Sequence, residues 1–222
     1  MMTVLGIDTA TAVCSVGLAR EDGLVGEYRL MGAMAHGERL PDMAEHLFRS
    51  SGIDPASLDG IAVSIGPGSF TGLRIGLGYA KGLALGLGKP LVDIGTMDGL
   101  IVFVPPVCEW GCVLLKARKG EVYQGLYRWD GKWLREGEIS VVDDDKIGDR
   151  LPGNDVLFIG EGAAIHADRI REKYSRARFL QDESWPTGYG IASLGIQKLK
   201  KGQIADLTTV VPKYIKRFQG VA

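Results

Sequence analysis

Cysteine and histidine are scarce, with three of each in 222 residues. Cys14, Cys108 and Cys112 are odd in number and lack a framework spacing, which excludes a disulfide-stapled scaffold and fits a reducing compartment. Cys108 and Cys112 stand four apart, but no second Cys/His pair completes a tetrahedral zinc set, so they read as packed thiols. Asp42 and His46 share a helical face; two groups are too few for zinc. Net charge is also missing: 26 Lys and Arg against 27 Asp and Glu leave −1. That argues against autonomous binding to nucleic acid, which needs a basic field. Long apolar runs are absent too. The most apolar window, Leu100 to Leu115, is broken by Pro105, Pro106 and Glu109, so no membrane span is expected. The opening residues carry no basic stretch and reach Asp8 at once, which reads as a first strand rather than a signal peptide. A cytoplasmic protein without membrane contact is the expectation. No Gly-x-Ser-x-Gly elbow is present, which disfavours a serine hydrolase.

Glycine, at 32 residues, is instead in excess, at about twice the average share. It gathers between residues 60 and 99 and at turns. Apolar alternation and turn residues place strands at Val4–Ile7, Ala12–Arg20 and Leu24–Met31. The period then changes. Leu40, Met43, Ala44, Leu47 and Phe48 recur as one face of an amphipathic helix that Gly52 stops. Ile61–Ile65 reads as a buried strand, Ser69–Gly88 as a helix, and Pro90–Ile94 as a further strand. This β-β-β-α-β-α-β order opens again 108 residues later. Gly17, Leu18, Arg20, Asp22 and Gly23 meet Gly125, Leu126, Arg128, Asp130 and Gly131. The chain is therefore expected to be α/β with two duplicated lobes, 1–100 and 101–209. A segment 210–222 returns to the first lobe. In the second lobe, Val156–Ile159 reads as strand, and 164–174 and 191–200 as helices. Two lobes related in this way imply a cleft between them, where sites collect.

The string Ser64-Ile65-Gly66-Pro67-Gly68-Ser69-Phe70-Thr71-Gly72-Leu73-Arg74 joins strand to helix. Glycines at 66 and 68 allow close backbone approach, Ser69 is placed to cap the helix, and the amides of its first turn point outward with the helix dipole. Two readings stand side by side: an anion cradle using Gly66, Gly68, Ser69, Thr71 and Arg74, or simply a tight β-to-α turn. The third glycine falls one residue late for a dinucleotide fingerprint, and no Gly-Lys-Ser/Thr follows for a phosphate loop. Asp8 and Thr9 end the first strand. The position 108 residues after Asp8 holds Lys116, so the pair cannot supply two carboxylates to a hydrated cation. Along the next helix, Gly72, Gly76, Ala80, Ala84 and Gly88 form one small-residue stripe, and Gly78, Gly82 and Gly86 another. Helical glycines are costly, and close approach of a neighbour on each side is the usual compensation. One side is expected to meet the lobe's own sheet; the other meets either a second protein or further parts of the same chain. Leu40, Met43, Leu47, Gly72, Ile75, Gly76, Tyr79 and Ala80 are the expected contact residues.

Gly6-Ile7-Asp8-Thr9-Ala10, the glycine-rich string and Ala117-Arg118-Lys119-Gly120-Glu121-Val122-Tyr123 together resemble the TsaB (YeaZ) family. The similarity weakens after about residue 130. It implies the two-lobed fold of the actin/hexokinase/heat-shock-chaperone superfamily. It also implies a non-catalytic role beside a TsaD-type enzyme, which transfers a threonylcarbamoyl group to N6 of adenosine in tRNA. A TsaE-type ATPase is a further expected partner, tRNA is met only through the complex, and self-association is expected when the partner is absent. The helices over 40–48 and 70–87 would be the association surface. The catalytic relative carries two histidines where this chain has Thr96 and Leu100, and the family's usual Asp at position 116 is Lys here. On that resemblance Asp8, Thr9, Gly66, Gly68, Ser69, Thr71, Arg74 and Lys116 mark a vestigial nucleotide or anion cleft. No cofactor is required, and nucleotide binding would be weak. The competing expectation is an enzyme of the same superfamily, a metal-dependent glycoprotease-like peptidase or an ATP-using enzyme.

Overall fold

A computed structural model describes residues 1–32, 36–149, 151–180 and 184–215. They form two compact units: 1–99 with 186–213, and 100–185 with 214–215.

The first unit is built on a five-stranded sheet. β1 (Thr3–Asp8), β2 (Val13–Arg20) and β3 (Gly23–Met31) form an antiparallel meander, and β4 (Gly60–Ser64) and β5 (Leu91–Ile94) add parallel strands, in the order β3-β2-β1-β4-β5. Both faces of the sheet are covered, which is why β1 and β4 are buried at every residue rather than at alternate ones. Leu5, Ile7, Val16 and Leu18 meet α1 (His36–Ser51) and α2 (Phe70–Leu87) through Leu40, Ala44, Leu47, Leu77, Ala80 and Ala84. On the opposite face Val4, Ala19, Ala62, Val92 and Ile94 meet Ile191, Ala192 and Ile196 of a C-terminal helix, α6 (Gly188–Lys200).

That last helix corrects the expected boundaries, which assigned 101–209 to the second lobe. The cause is glycine on glycine. Gly6 and Gly17 stand opposite each other on β1 and β2. A side chain at Gly6 would strike the Gly188 and Ala192 backbone, and one at Gly17 the Tyr189 backbone. Gly195 likewise lies on Ala62. The helix is pinned at its start by Ser15 Oγ, which accepts from the Gly188 amide at 2.8 Å, and by Glu27, which accepts from the Tyr189 amide at 2.8 Å. The tail after α6 also stays on this unit: the Ala205 amide donates to Leu91 O at 2.8 Å and the Lys213 amide to Ile65 O at 2.7 Å. The return to the first lobe thus begins before residue 210; 216–222 lie outside the described residues.

The second unit repeats the plan. β6 (Trp110–Lys116), β7 (Glu121–Trp129) and β8 (Trp133–Asp143) form the meander, and β9 (Val156–Ile159) and β10 (Arg178–Phe179) the parallel pair, in the order β8-β7-β6-β9-β10. Strand order and direction match the first sheet throughout. The constant offset of 108 is broken by one residue in pairing: Leu5 faces Leu18, whereas Val113 faces Gly125 rather than Leu126. Helices α4 (Glu161–Ile165) and α5 (Ala167–Lys173) stand where one helix over 164–174 is expected, and Ala163 and Ile170 pack with Cys112, Leu114 and Phe158. A short helix α3 (Thr96–Ile101) precedes the unit. No helix among the described residues is long and apolar enough to cross a membrane.

Candidate functional site

The carboxyl ends of β1 and β4, with the turn into α2, bring most of the expected site residues together. Ser69 caps α2, its Oγ accepting from the Gly72 amide at 3.2 Å. Gly88, in a left-handed conformation, ends the helix. The turn is closed by its own chain. A side chain at Gly66 would strike the Lys213 backbone, one at Gly68 the Ala10 backbone, and one at Gly72 the Thr9 carbonyl. Thr9 Oγ1 donates to Gly72 O at 2.7 Å, and the Ser69 amide donates to Ala10 O at 2.7 Å. The amides of Ser69, Gly72 and Leu73 are therefore already bonded within the chain. These bonds hold a tight β-to-α turn together. Thr71 and Arg74 are exposed beyond it, with the Arg74 guanidinium 3.8 Å from the centre of the Phe70 ring.

Asp8 is fully buried. Its Oδ1 accepts from the Ala10 amide at 3.2 Å; Oδ2 has no hydrogen-bond partner. Loss of water around the carboxylate raises its pKa to about 6, against the opposing pull of the nearby Ser64 hydroxyl and the Ala10 amide. Ser64 at the end of β4 and Thr96 just after β5 are also fully buried, and Ser64 Oγ and Thr96 Oγ1 likewise lack partners. Three buried polar side chains thus sit at the ends of three neighbouring strands. Cys14, buried in the same region, is pushed up to about 12 by burial first and by the Asp8 charge second.

This cluster does not fit a metal. It offers one carboxylate and two hydroxyls, sealed from solvent, and Leu100, at the second position where the catalytic relative would carry histidine, is buried and apolar. Among the described residues no group of three or more His, Cys, Asp or Glu side chains could hold an ion. Lys116, the eighth expected cleft residue, belongs to the second unit. It ends β6 with its side chain exposed, and its amide donates to Glu161 Oε1 at 3.3 Å. Burial raises the Glu161 carboxyl above its usual range, with the Lys116 amide and charge opposing.

The expected contact residues divide sharply. Leu40, Leu47, Gly72, Gly76 and Ala80 are buried in the first unit and present no surface. Gly76 is small because Thr9 Oγ1 occupies the space a side chain would need. Met43, Ile75 and Tyr79 are only partly covered but pack on the same core. The second stripe is different. A methyl group added at Gly78, Gly82 or Gly86 would meet none of the described residues within 4 Å. All three glycines are exposed, and Leu85 beside them is 76% exposed. The sequence carries both stripes with equal force; only the side on which Thr9 lies separates the inner from the outer.

Comparison with known proteins agrees with this geometry. A family model described as TsaD, tRNA N6-adenosine threonylcarbamoyltransferase, matches residues 31–215. The tRNA threonylcarbamoyladenosine biosynthesis protein TsaB of Escherichia coli (strain K12) is 34% identical over 223 residues, covering 97% of this chain and 95% of that one. The crystal structure of YeaZ from Pseudomonas aeruginosa superposes with a TM-score of 0.84 at 26% identity, covering 96% of this chain and 100% of that one. A ROK hexokinase from Thermus thermophilus shares the fold alone, with a TM-score of 0.53 at 14% identity over 89% of this chain and 100% of that one. The duplicated sheets place the chain in the actin/hexokinase/heat-shock-chaperone class of α/β folds, and the near-complete match to TsaB narrows that class: the chain belongs to the TsaB (YeaZ) family.

Proposed function

We propose that this chain is a non-catalytic partner of a TsaD-type enzyme, supporting threonylcarbamoyl transfer to N6 of adenosine in tRNA. The observation that carries the reading is the outer face of α2. Gly78, Gly82 and Gly86 each cost about 0.5–1 kcal/mol relative to alanine in a helix. Nothing among the described residues approaches them closely enough to offset that cost. A second protein whose helix lies directly on this face does offset it, with Leu85 and the exposed edge of α1 extending the contact. The sealed Asp8 cluster supports the non-catalytic part, since a reacting phosphate has no route to a carboxylate with no solvent exposure. On this reading no cofactor is required, a TsaE-type ATPase acts on the assembled complex, and tRNA is engaged through the complex.

The test is co-purification with the TsaD-type protein of the same source, scored by tRNA modification with and without this chain. Modification should require the chain, and Gly82→Glu should abolish both capture and modification while leaving the fold intact. The isolated protein should not hydrolyse ATP or peptides. Steady turnover by the isolated chain, lost in Asp8→Ala, would establish the enzyme reading instead.

A further inference from the structure

In open α/β sheets ligands collect beyond the carboxyl ends of the strands. In the first unit those ends are sealed under the turn into α2, with Asp8 fully buried. The second unit is open there instead. The ends of β9 and β10, with α4 and α5, line a cavity of about 520 Å³, the size of a small-ligand site. Ala164 on its lining is exposed and Trp185 half-buried. Phe158 and Phe179 stack with ring centres 5.8 Å apart. The Arg171 guanidinium lies 4.7 Å from the centre of the Phe179 ring, and Asp168 accepts from it at 3.1 Å. The cavity therefore has a layered wall of rings and guanidinium, a surface on which a flat ring stacks. Glu161 lines the same space. Its Oε1 accepts from the Lys116 amide at 3.3 Å, and a carboxylate keeps further lone pairs for an amino group in the cavity.

We infer that this cavity receives one unstacked base of an RNA strand. The inference rests on the reading above that RNA is engaged in the complex. The wall selects a flat ring, and the charges select its source. A free nucleotide concentrates its phosphate charge on one small molecule and needs a dense anion cradle or a bound cation. Among the described residues no group of His, Cys, Asp or Glu side chains could hold an ion. The nearby cations are mostly taken, since Arg169, Lys173 and Arg178 pair with Asp144, Asp149 and Asp155. Arg176, exposed between α5 and β10, is left. One cation suits one phosphodiester, the charge each nucleotide of a strand carries. The balanced charge of the chain argues against binding driven by the phosphate backbone, but not against binding driven by stacking.

The test begins with the isolated full chain and a labelled single-stranded heptanucleotide RNA of mixed sequence, followed by anisotropy. Wild type should saturate, with log K falling by about one unit or less per tenfold rise in salt. Ala164→Trp fills the cavity from an exposed position, Trp185→Ala removes a ring and Trp185→Phe keeps one; thermal unfolding checks that each is folded. The first two should weaken binding about tenfold or more without changing the salt slope, and Trp185→Phe should stay within about threefold of wild type. The same RNA in a duplex should bind at least about tenfold more weakly, because its bases are already stacked. AMP at about 5 mM should not displace the strand, because its dianion finds no cradle. In the complex with the TsaD-type protein, Ala164→Trp and Trp185→Ala should lower RNA affinity while capture of that protein is unchanged. Gly82→Glu should lose capture and keep heptanucleotide binding, so failure of the α2 reading and failure of this one are seen separately. A wild type that does not bind the single strand overturns the inference. Binding that survives either cavity variant overturns it equally, as does displacement by AMP, which would make the cavity a nucleotide site.

Discussion

Asp8→Asn should make the pH dependence of folding visible in one side chain. The carboxyl has an ordinary value of 3.8 and rises to about 6 in the folded protein, chiefly through burial. Folding therefore favours the protonated form. Below pH 3.8 both states are protonated and the group costs nothing. As pH rises the unfolded chain ionises first and gains stability the folded chain cannot match, until the folded group ionises near pH 6. Two pKa units correspond to about 3 kcal/mol, a large part of a typical net stability of 5–15 kcal/mol. Asparagine removes the titration and keeps the shape. Urea unfolding of both proteins at closely spaced pH values from 4 to 8 gives the difference directly. Wild type should lose roughly 2–3 kcal/mol relative to Asp8→Asn across that range, mostly below pH 6, and hold a constant difference above about pH 7. A constant offset between the proteins reflects hydrogen bonding of the amide and is irrelevant to the test. A difference that does not vary with pH, or one in which wild type gains stability as pH rises, would falsify the assignment of Asp8 as a desolvated carboxyl.

Other substitutions read the glycine contacts. Gly6→Ala and Gly17→Ala should each destabilise by more than about 2 kcal/mol in chemical denaturation, because the obstacle is the backbone of α6 and not a movable side chain. Gly78→Ala should stabilise the isolated chain by about 0.5–1 kcal/mol, since the added methyl group meets nothing. Gly76→Glu should prevent folding, because the carboxylate would be driven into Thr9; a folded protein by circular dichroism would contradict the inward orientation of that stripe. Thiol labelling with a chromogenic disulfide at pH 8 should reach Cys108 alone in the native protein. Cys14 and Cys112 are buried, with their thiols pushed far up by burial, and should react only on unfolding.

Strand-by-strand patterning made the first sheet legible, since the turns at Glu21–Gly23 and the change of period at Leu40 are local signals. The duplicate was legible for the same reason, because hairpin glycines repeat. Two things were not. α6 carries small residues at Gly188, Ala192 and Gly195, the pattern of a helix lying flat on a sheet, but the strands that meet its first turn, at Gly6 and Gly17, are more than 160 residues away in sequence. Periodicity names a face and leaves its partner open. Thr9 was legible as a strand-end residue, but its role as the wall that forces Gly72 and Gly76 to be glycine depends on the angle at which α2 leaves the turn, which no local signal encodes.

The two stripes of α2 illustrate where sequence reasoning about glycine reaches its limit. A helical glycine states only that close approach is worth more than helix propensity; it does not say whose approach. The inner stripe is accounted for inside the chain, since removing Thr9 from the wall would relieve Gly76 but leave Gly72 against a carbonyl that no substitution can move. The outer stripe has no such account among the described residues. Three exposed glycines in an 18-residue helix would be replaced by alanine at no steric cost in the isolated protein. A partner lying on this face, as proposed above, would account for them. Asp8 also carries a cost, since it destabilises the folded chain at neutral pH and touches no solvent. Gly78→Ala and Asp8→Asn should both improve stability, so the pair separates two causes when each is assayed for capture of the TsaD-type partner. Capture lost in Gly78→Ala and kept in Asp8→Asn places the contact on α2 and leaves Asp8 outside it. Capture kept in Gly78→Ala removes the physical argument for that face.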